Sequence, residues 1–188
     1  MTKSLLKAGD AFLYMKVGVH ANESLEDIIQ RKRSEIEQAG VAFWGYGGSS
    51  CHPLTAVQPF VKEVTAHGTK VRLLMQEITS RHFADGLARE YSADGKNYQP
   101  IPAGIKVLGS RYALVLKNLD SIDFQLALSD TTVGVGRLVG SPGDRYIRGH
   151  VDKACLVYAP GANLAAGGPP INLGLTGDLA APYAVLLR

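Results

Sequence analysis

Cysteine is scarce in this sequence: Cys51 and Cys155 are the two in 188 residues. Two thiols cannot form the disulfide framework that holds small secreted domains together, and two reduced cysteines are the expectation for a cytoplasmic chain. Long apolar runs are missing as well. No stretch approaches the ~20 residues that span a bilayer, and Gly9, Asp10 and Lys16 interrupt the apolar start. Neither a membrane partner nor a signal peptide is expected. The five histidines and two cysteines form no H-E-x-x-H, no C-x-x-C and no close histidine pair, so no metal site is expected. Charge of one sign is not concentrated either: 20 Lys and Arg against 17 Asp and Glu leave a net charge of +3. The densest basic run, "QRKRSE" (30–35), reads as the solvated face of a helix. Sequence-specific DNA binding needs a clustered basic recognition element and is not expected.

What the chain has is an ordinary globular balance, 46% hydrophobic and 20% charged residues. Its length fits the ~100–200 residues of one domain, so residues 1–188 are taken as a single globular domain. "AFLYMKVGV" (11–19) reads as a strand. "SLEDIIQRKRSEIEQAG" (24–40) reads as a helix, with Leu25, Ile28, Ile29 and Ile36 on one face. Ser24 is its N-cap, Asp27 sits where a capping-box acid would reach back, and Gly40 stops it. "VAFWGYG" (41–47) is a second strand, apolar enough to be central in a sheet. "PLTAVQPFVKEVTAHG" (53–68) looks helical, and Pro59 either kinks that helix or starts it after an irregular turn. "KVRLLMQEI" (70–78) is a third strand. The order strand, helix, strand, helix, strand suggests parallel pairing.

Beyond residue 80 the pattern changes. Residues 81–104 form a long polar connection, with one short helix expected around Leu87–Tyr91. Strand-like runs follow at 111–119, 123–129, 131–139, 152–159 and 183–188, separated by turn residues, and no helix is expected after about residue 92. The expected class is α/β to α+β: a mixed β-sheet with an N-terminal β-α-β-α-β portion and an antiparallel, strand-rich C-terminal portion.

The candidate site centres on "AFWGYGGSSCHPL" (42–54). A strand that ends in glycines and leads into a helix is where α/β proteins often bind anions. The stretch is neither G-x-x-x-x-G-K-[ST] nor G-x-G-x-x-G, so P-loop hydrolysis of ATP or GTP is not expected. Gly47 and Gly48 permit close backbone approach, and Ser49 and Ser50 offer hydroxyls. Cys51 near a helix N-terminus would favour thiolate, and His52 is adjacent. A histidine partner from elsewhere would be His20, His67, His82 or His150. The competing reading makes Cys51 a small buried hydrophobe. Trp44 and Tyr46 share one strand face and would stack on a ligand ring, or fill the core. A second region, 134–154, carries Arg137, Arg145, Arg148, His150 and Lys153. Arg145 and Arg148 are expected at a strand edge or loop tip, where arginines suit phosphates and carboxylates.

The catalytic candidates are therefore Cys51 and His52. The ligand-binding candidates are Trp44, Tyr46, Gly47, Gly48, Ser49, Ser50, Arg145 and Arg148. The expected function is binding of, or action on, an anionic or nucleotide-like small molecule at the glycine loop, with a reactive cysteine. The alternatives are a nucleic-acid-binding module and a non-catalytic interaction factor. No cofactor and no oligomeric state is indicated by the residues.

Overall fold

The computed structural model describes residues 4–48, 51–82, 86–148, 151–162 and 168–188. The first half alternates as the periodicity predicts: β1 (Ala11–His20), α1 (Leu25–Ala39), β2 (Ala42–Gly45), α2 (Leu54–Ala66) and β3 (Arg72–His82). The second half is strand-rich: β4 (Glu90–Ser92), β5 (Gln99–Pro100), β6 (Tyr112–Leu116), β7 (Asp120–Leu126), β8 (Thr131–Val133), α3 (Gly143–Arg148), β9 (Lys153–Tyr158) and β10 (Ile171–Leu187). The result is a mixed sheet with helices on it, of the α+β class.

The caps of α1 form as the sequence dictates. The Ser24 hydroxyl accepts the Asp27 N–H at 3.1 Å and donates to the Asp27 carboxylate at 2.7 Å. Asp27 thus meets the cap through the hydroxyl and not through the Ser24 amide. Gly40 closes the helix at φ 79°, its N–H bonded to Ile36 O. Helix α2 has no side-chain cap, since Pro53 stands at its N-cap, and it runs through Pro59 instead of starting there.

The strand order is β2-β6-β10-β3-β1-β9-β8, with β4, β5 and β7 attached beside this path. Strands β1 and β3 are parallel, as the alternating order suggests. Strand β2 is not between them and is not central. It pairs antiparallel with β6 at one end of the order. Its apolar character has another cause, because the sheet curls until the end of β2 lies against β1 and β9. Trp44 Nε1 donates to Met15 Sδ at 3.2 Å, and the Tyr46 hydroxyl donates to Tyr14 O at 2.9 Å, with Ala154 O at 3.3 Å. Trp44 and Tyr46 join the main core. Phe43 faces a second cluster with Val115 and Val185 and meets Tyr91 edge-on at 5.0 Å. Cover on both faces, without neighbours on both edges, makes the strand uniformly apolar.

Strand β10 is 17 residues long. Its first part pairs with β7 and β3, and its last part with β6 and β4. Leu173, Leu175 and Leu179 are buried, alternating with Asn172, Gly174, Thr176 and Asp178. The hairpins expected from close strand spacing are not what β6 and β7 form, since each pairs with β10. Two further expectations are corrected. Glu90–Ser92 is strand where a short helix was expected, and a six-residue helix, α3, occupies the supposed strand edge or loop tip around Arg145. Among the described residues no helix is long and apolar enough to cross a bilayer.

Candidate functional site

The glycines that leave β2 serve the chain's own packing. A Cβ on Gly47 would lie 2.6 Å from the backbone nitrogen and ring of Tyr112, and one on Gly45 would collide with the Ser110 hydroxyl. A side chain at Gly47 would push the exit of β2 off the start of β6, and one at Gly45 would displace the Ser110 side chain. The amides are also committed internally: Tyr46 and Gly47 N–H donate to Tyr112 O at 3.0 and 2.9 Å, and Gly48 N–H to Cys51 Sγ at 3.1 Å. Gly47 and Gly48 therefore offer no free N–H to an anion, although both line a cleft.

That cleft, of about 280 Å³, lies between α1, the end of β1, the exit of β2 and residues 106–110. Its apolar wall is Met15, Val17, Leu25, Ile28, Trp44 and Val107. Lys16, His20, Lys106, Ser110, Asp152 and Lys153 supply the polar lining, and Arg31 and Lys32 enter it from α1. Nothing in the sequence marks this set as a motif, because it gathers from separate segments. One signal was present. Lys32 and Glu35 follow Ile28 by four and seven positions and therefore sit on the apolar face of α1.

The reading of residues 30–35 as a solvated face is thus corrected for Lys32 and Glu35, which are 4% and 1% exposed. Lys32 Nζ donates to Glu35 at 2.9 Å, to Phe43 O at 2.5 Å and to Lys106 O at 2.7 Å. Arg31 forks onto Glu23 at 2.9 and 3.2 Å, reaching also Glu35 at 3.0 Å and Lys106 O at 2.9 Å. Glu35 accepts the Lys106 N–H at 3.0 Å, and the Lys106 ammonium lies 3.4 Å from Glu23. The network fastens α1 to the open edge of β2 and to the 106–110 segment, and so fixes one wall of the cleft. Burial lowers the Lys32 pKa to about 8, against the opposing pull of Glu35.

The remaining cations differ in their partners. Lys16 stands 3.8 Å from Asp152 and donates to Val151 O at 3.1 Å. Lys153 is, among the described cations of the cleft, the one with no carboxylate within ion-pair distance. A Cβ built on Gly48 would lie 3.3 Å from its ammonium, so Lys153 faces the glycine exit directly.

The sequence candidates divide. Trp44, Gly47 and Gly48 line the cleft. Tyr46 is fully buried in the core beneath it, and burial raises its pKa well above the ordinary value. Cys51 is half-buried and outside the lining; its thiol donates to Gly48 O at 3.2 Å and lies 4.0 Å from the Tyr112 hydroxyl. The His52 ring turns elsewhere, stacked on Tyr146 at 5.5 Å with Nε2 3.3 Å from its hydroxyl, and burial lowers its pKa. Tyr112 donates to His52 O at 2.5 Å and so fixes the backbone between the two residues. Arg145 and Arg148 are exposed on α3, away from the cleft, with Arg148 paired to Asp144 and donating to Pro169 O at 2.7 Å. Of the other histidines, His20 lines the cleft with Nε2 3.0 Å from Leu108 O, and His67 caps the end of α2. Ser49, Ser50, His150 and the His82 side chain lie outside the described residues. Cys155 is buried, which pushes its thiol pKa up. Among the described residues, no three His, Cys, Asp or Glu side chains stand close enough to hold a metal ion.

Compared with known proteins, the chain matches no protein-family model, no curated protein and no solved structure.

Proposed function

We propose that the protein binds a small anionic molecule in the cleft between α1, β1 and the exit of β2. The observation that carries this reading is Lys153: an ammonium without a carboxylate partner, in the lining of a cleft that also presents Met15, Val17, Leu25, Ile28, Trp44 and Val107. A ligand with a hydrocarbon body and a negative group would satisfy both surfaces. The body would leave water at about 25 cal/mol per Å² buried, and the charge would meet Lys153, the cation without a carboxylate partner among those described in the cleft. Cys51 is not among the lining residues and its thiol is bonded to the Gly48 backbone, so the reading is of binding rather than of thiol catalysis. The nucleic-acid alternative has less support, because base stacking needs open aromatic faces and both Trp44 and Tyr46 are buried.

Trp44 is the single tryptophan and lines the cleft, so its fluorescence reports occupancy without a label. Titration with small organic anions should give a saturable change that Lys153→Gln weakens by about tenfold or more, with the unfolding midpoint unmoved. No saturable change with any anion, or an undiminished affinity in Lys153→Gln, would sink the proposal.

A further inference from the structure

Resting on that binding reading, we infer that the cleft selects monoanionic carboxylates with a compact apolar body and discriminates against phosphate esters, nucleotides included. The argument is one of charge and donors. Arg31, Lys32 and Lys106 share Glu23 and Glu35, three cations against two carboxylates. Their single excess charge is spread over groups already bonded to Phe43 O and Lys106 O. Lys16 faces Asp152. Among the described cations of the cleft, Lys153 is left for a ligand.

A phosphate dianion is held where several donors converge, as a fork of arginines or a run of free backbone N–H groups. Neither occurs among the described residues of the cleft. The amides of Gly47 and Gly48 are spent on Tyr112 O and Cys51 Sγ. The N-terminus of α2 does not line the cleft, and the arginines of α3 lie outside it. A second negative charge on the ligand would lose its water without gaining a partner, and the Asp152 carboxylate on the same lining would repel it. A carboxylate has one charge to match one ammonium, and the Ser110 hydroxyl stands in the same lining as a second donor.

Volume agrees with charge. A cleft of about 280 Å³ lies at or below the ~300–1,000 Å³ of sites that take drug-sized ligands. It suits one ring or a short branched chain against Val17, Leu25, Ile28 and Trp44.

The test titrates Trp44 fluorescence at pH 7 with 4-phenylbutyrate, 4-phenylbutyramide, phenyl phosphate and AMP. The proteins are wild type, Lys153→Gln and Lys153→Arg. The carboxylate should saturate, with the amide and both phosphates weaker by about tenfold or more. Lys153→Gln should bring the carboxylate down to the affinity of the amide, and Lys153→Arg should restore most of the difference. If phenyl phosphate or AMP binds as tightly as the carboxylate, and Lys153→Gln weakens both, the cleft still binds anions and the selectivity is overturned. Equal binding of acid and amide overturns the role of charge. If none of the four changes Trp44 emission, the binding reading falls and the selectivity with it.

Discussion

Replacing Lys32 with methionine separates what its buried charge costs from what its hydrogen bonds hold. In the wild type, burial lowers the ammonium pKa from an ordinary 10.5 to about 8. Between these values the unfolded chain keeps a proton that the native state has released, so stability rises with pH across that window. The shift corresponds to roughly 3 kcal/mol, absent at neutral pH and recovered as the solution is made alkaline. Methionine keeps the length of the side chain and removes the titration. Glu35 retains Arg31 and the Lys106 N–H, and Lys106 O retains Arg31, so Phe43 O alone loses its Lys32 donor with no substitute in this network. An unpaired buried carbonyl costs about 1–3 kcal/mol, close to what removing the buried charge returns at pH 7. The two proteins should therefore be of similar stability at pH 7, with the wild type gaining roughly 2–3 kcal/mol over Lys32→Met by pH 10. Urea unfolding at half-unit pH steps, followed by circular dichroism, measures the gap. Taking the difference cancels the buried tyrosines Tyr14 and Tyr112, whose hydroxyls burial holds protonated well above the usual range. A gap that stays constant or narrows from pH 7 to pH 10 would refute the reasoning, because it would mean that Lys32 keeps its proton in the folded state.

Three other outcomes are expected. Gly47→Ala should destabilise by about 1–3 kcal/mol, since the new Cβ would meet the Tyr112 backbone and no side-chain rotation relieves it; an unchanged melting temperature would contradict this. His52 has its pKa lowered by burial, so stability should fall as pH drops below about 6.5, where the unfolded imidazole takes up a proton that the native ring refuses. His52→Gln should flatten that part of the profile, and an unaltered slope would count against the buried, neutral ring. With a thiol-specific reagent, Cys51 should react in the native protein ahead of Cys155, which should stay silent until unfolding. Native labelling of Cys155 in a Cys51→Ser variant would show that this core opens more readily than its packing implies.

Much of the N-terminal half was legible because its signals are local. Ser24, the Ile28–Ile29 stripe and Gly40 mark α1 from cap to cap without reference to the rest of the chain. The place of β2 was not legible. Its apolar residues report burial, and burial comes here from a curled sheet closing over an end strand. A strand is expected at 183–188 alone in this region, although Leu173, Leu175 and Leu179 already keep the period of a strand upstream of it. Helix α3 was missed because its six residues are too few to display a helical period. At the cleft, the glycine exit and Trp44 were visible in the sequence. The pairing of Lys153 with Gly48, and of Lys32 with the edge of β2, depends on strands distant in sequence and has no local signature.

Strand β10 sets a condition on how this molecule is made. In the strand order it is the link between the β2–β6 pair and the β3–β1–β9–β8 group, and its partners Leu73 and Leu116 lie far upstream of Gly177 and Leu179, with which they pair. A ribosome delivers it after every strand it joins. Until residues 171–187 emerge, β3 and β6 each present an edge that awaits this partner, the kind of surface that recruits other chains. Pairings so distant in sequence also form slowly. The vulnerable interval therefore comes during synthesis and early folding, and the yield of native protein in a cell should respond to translation rate and chaperone supply more than to the final stability of the fold.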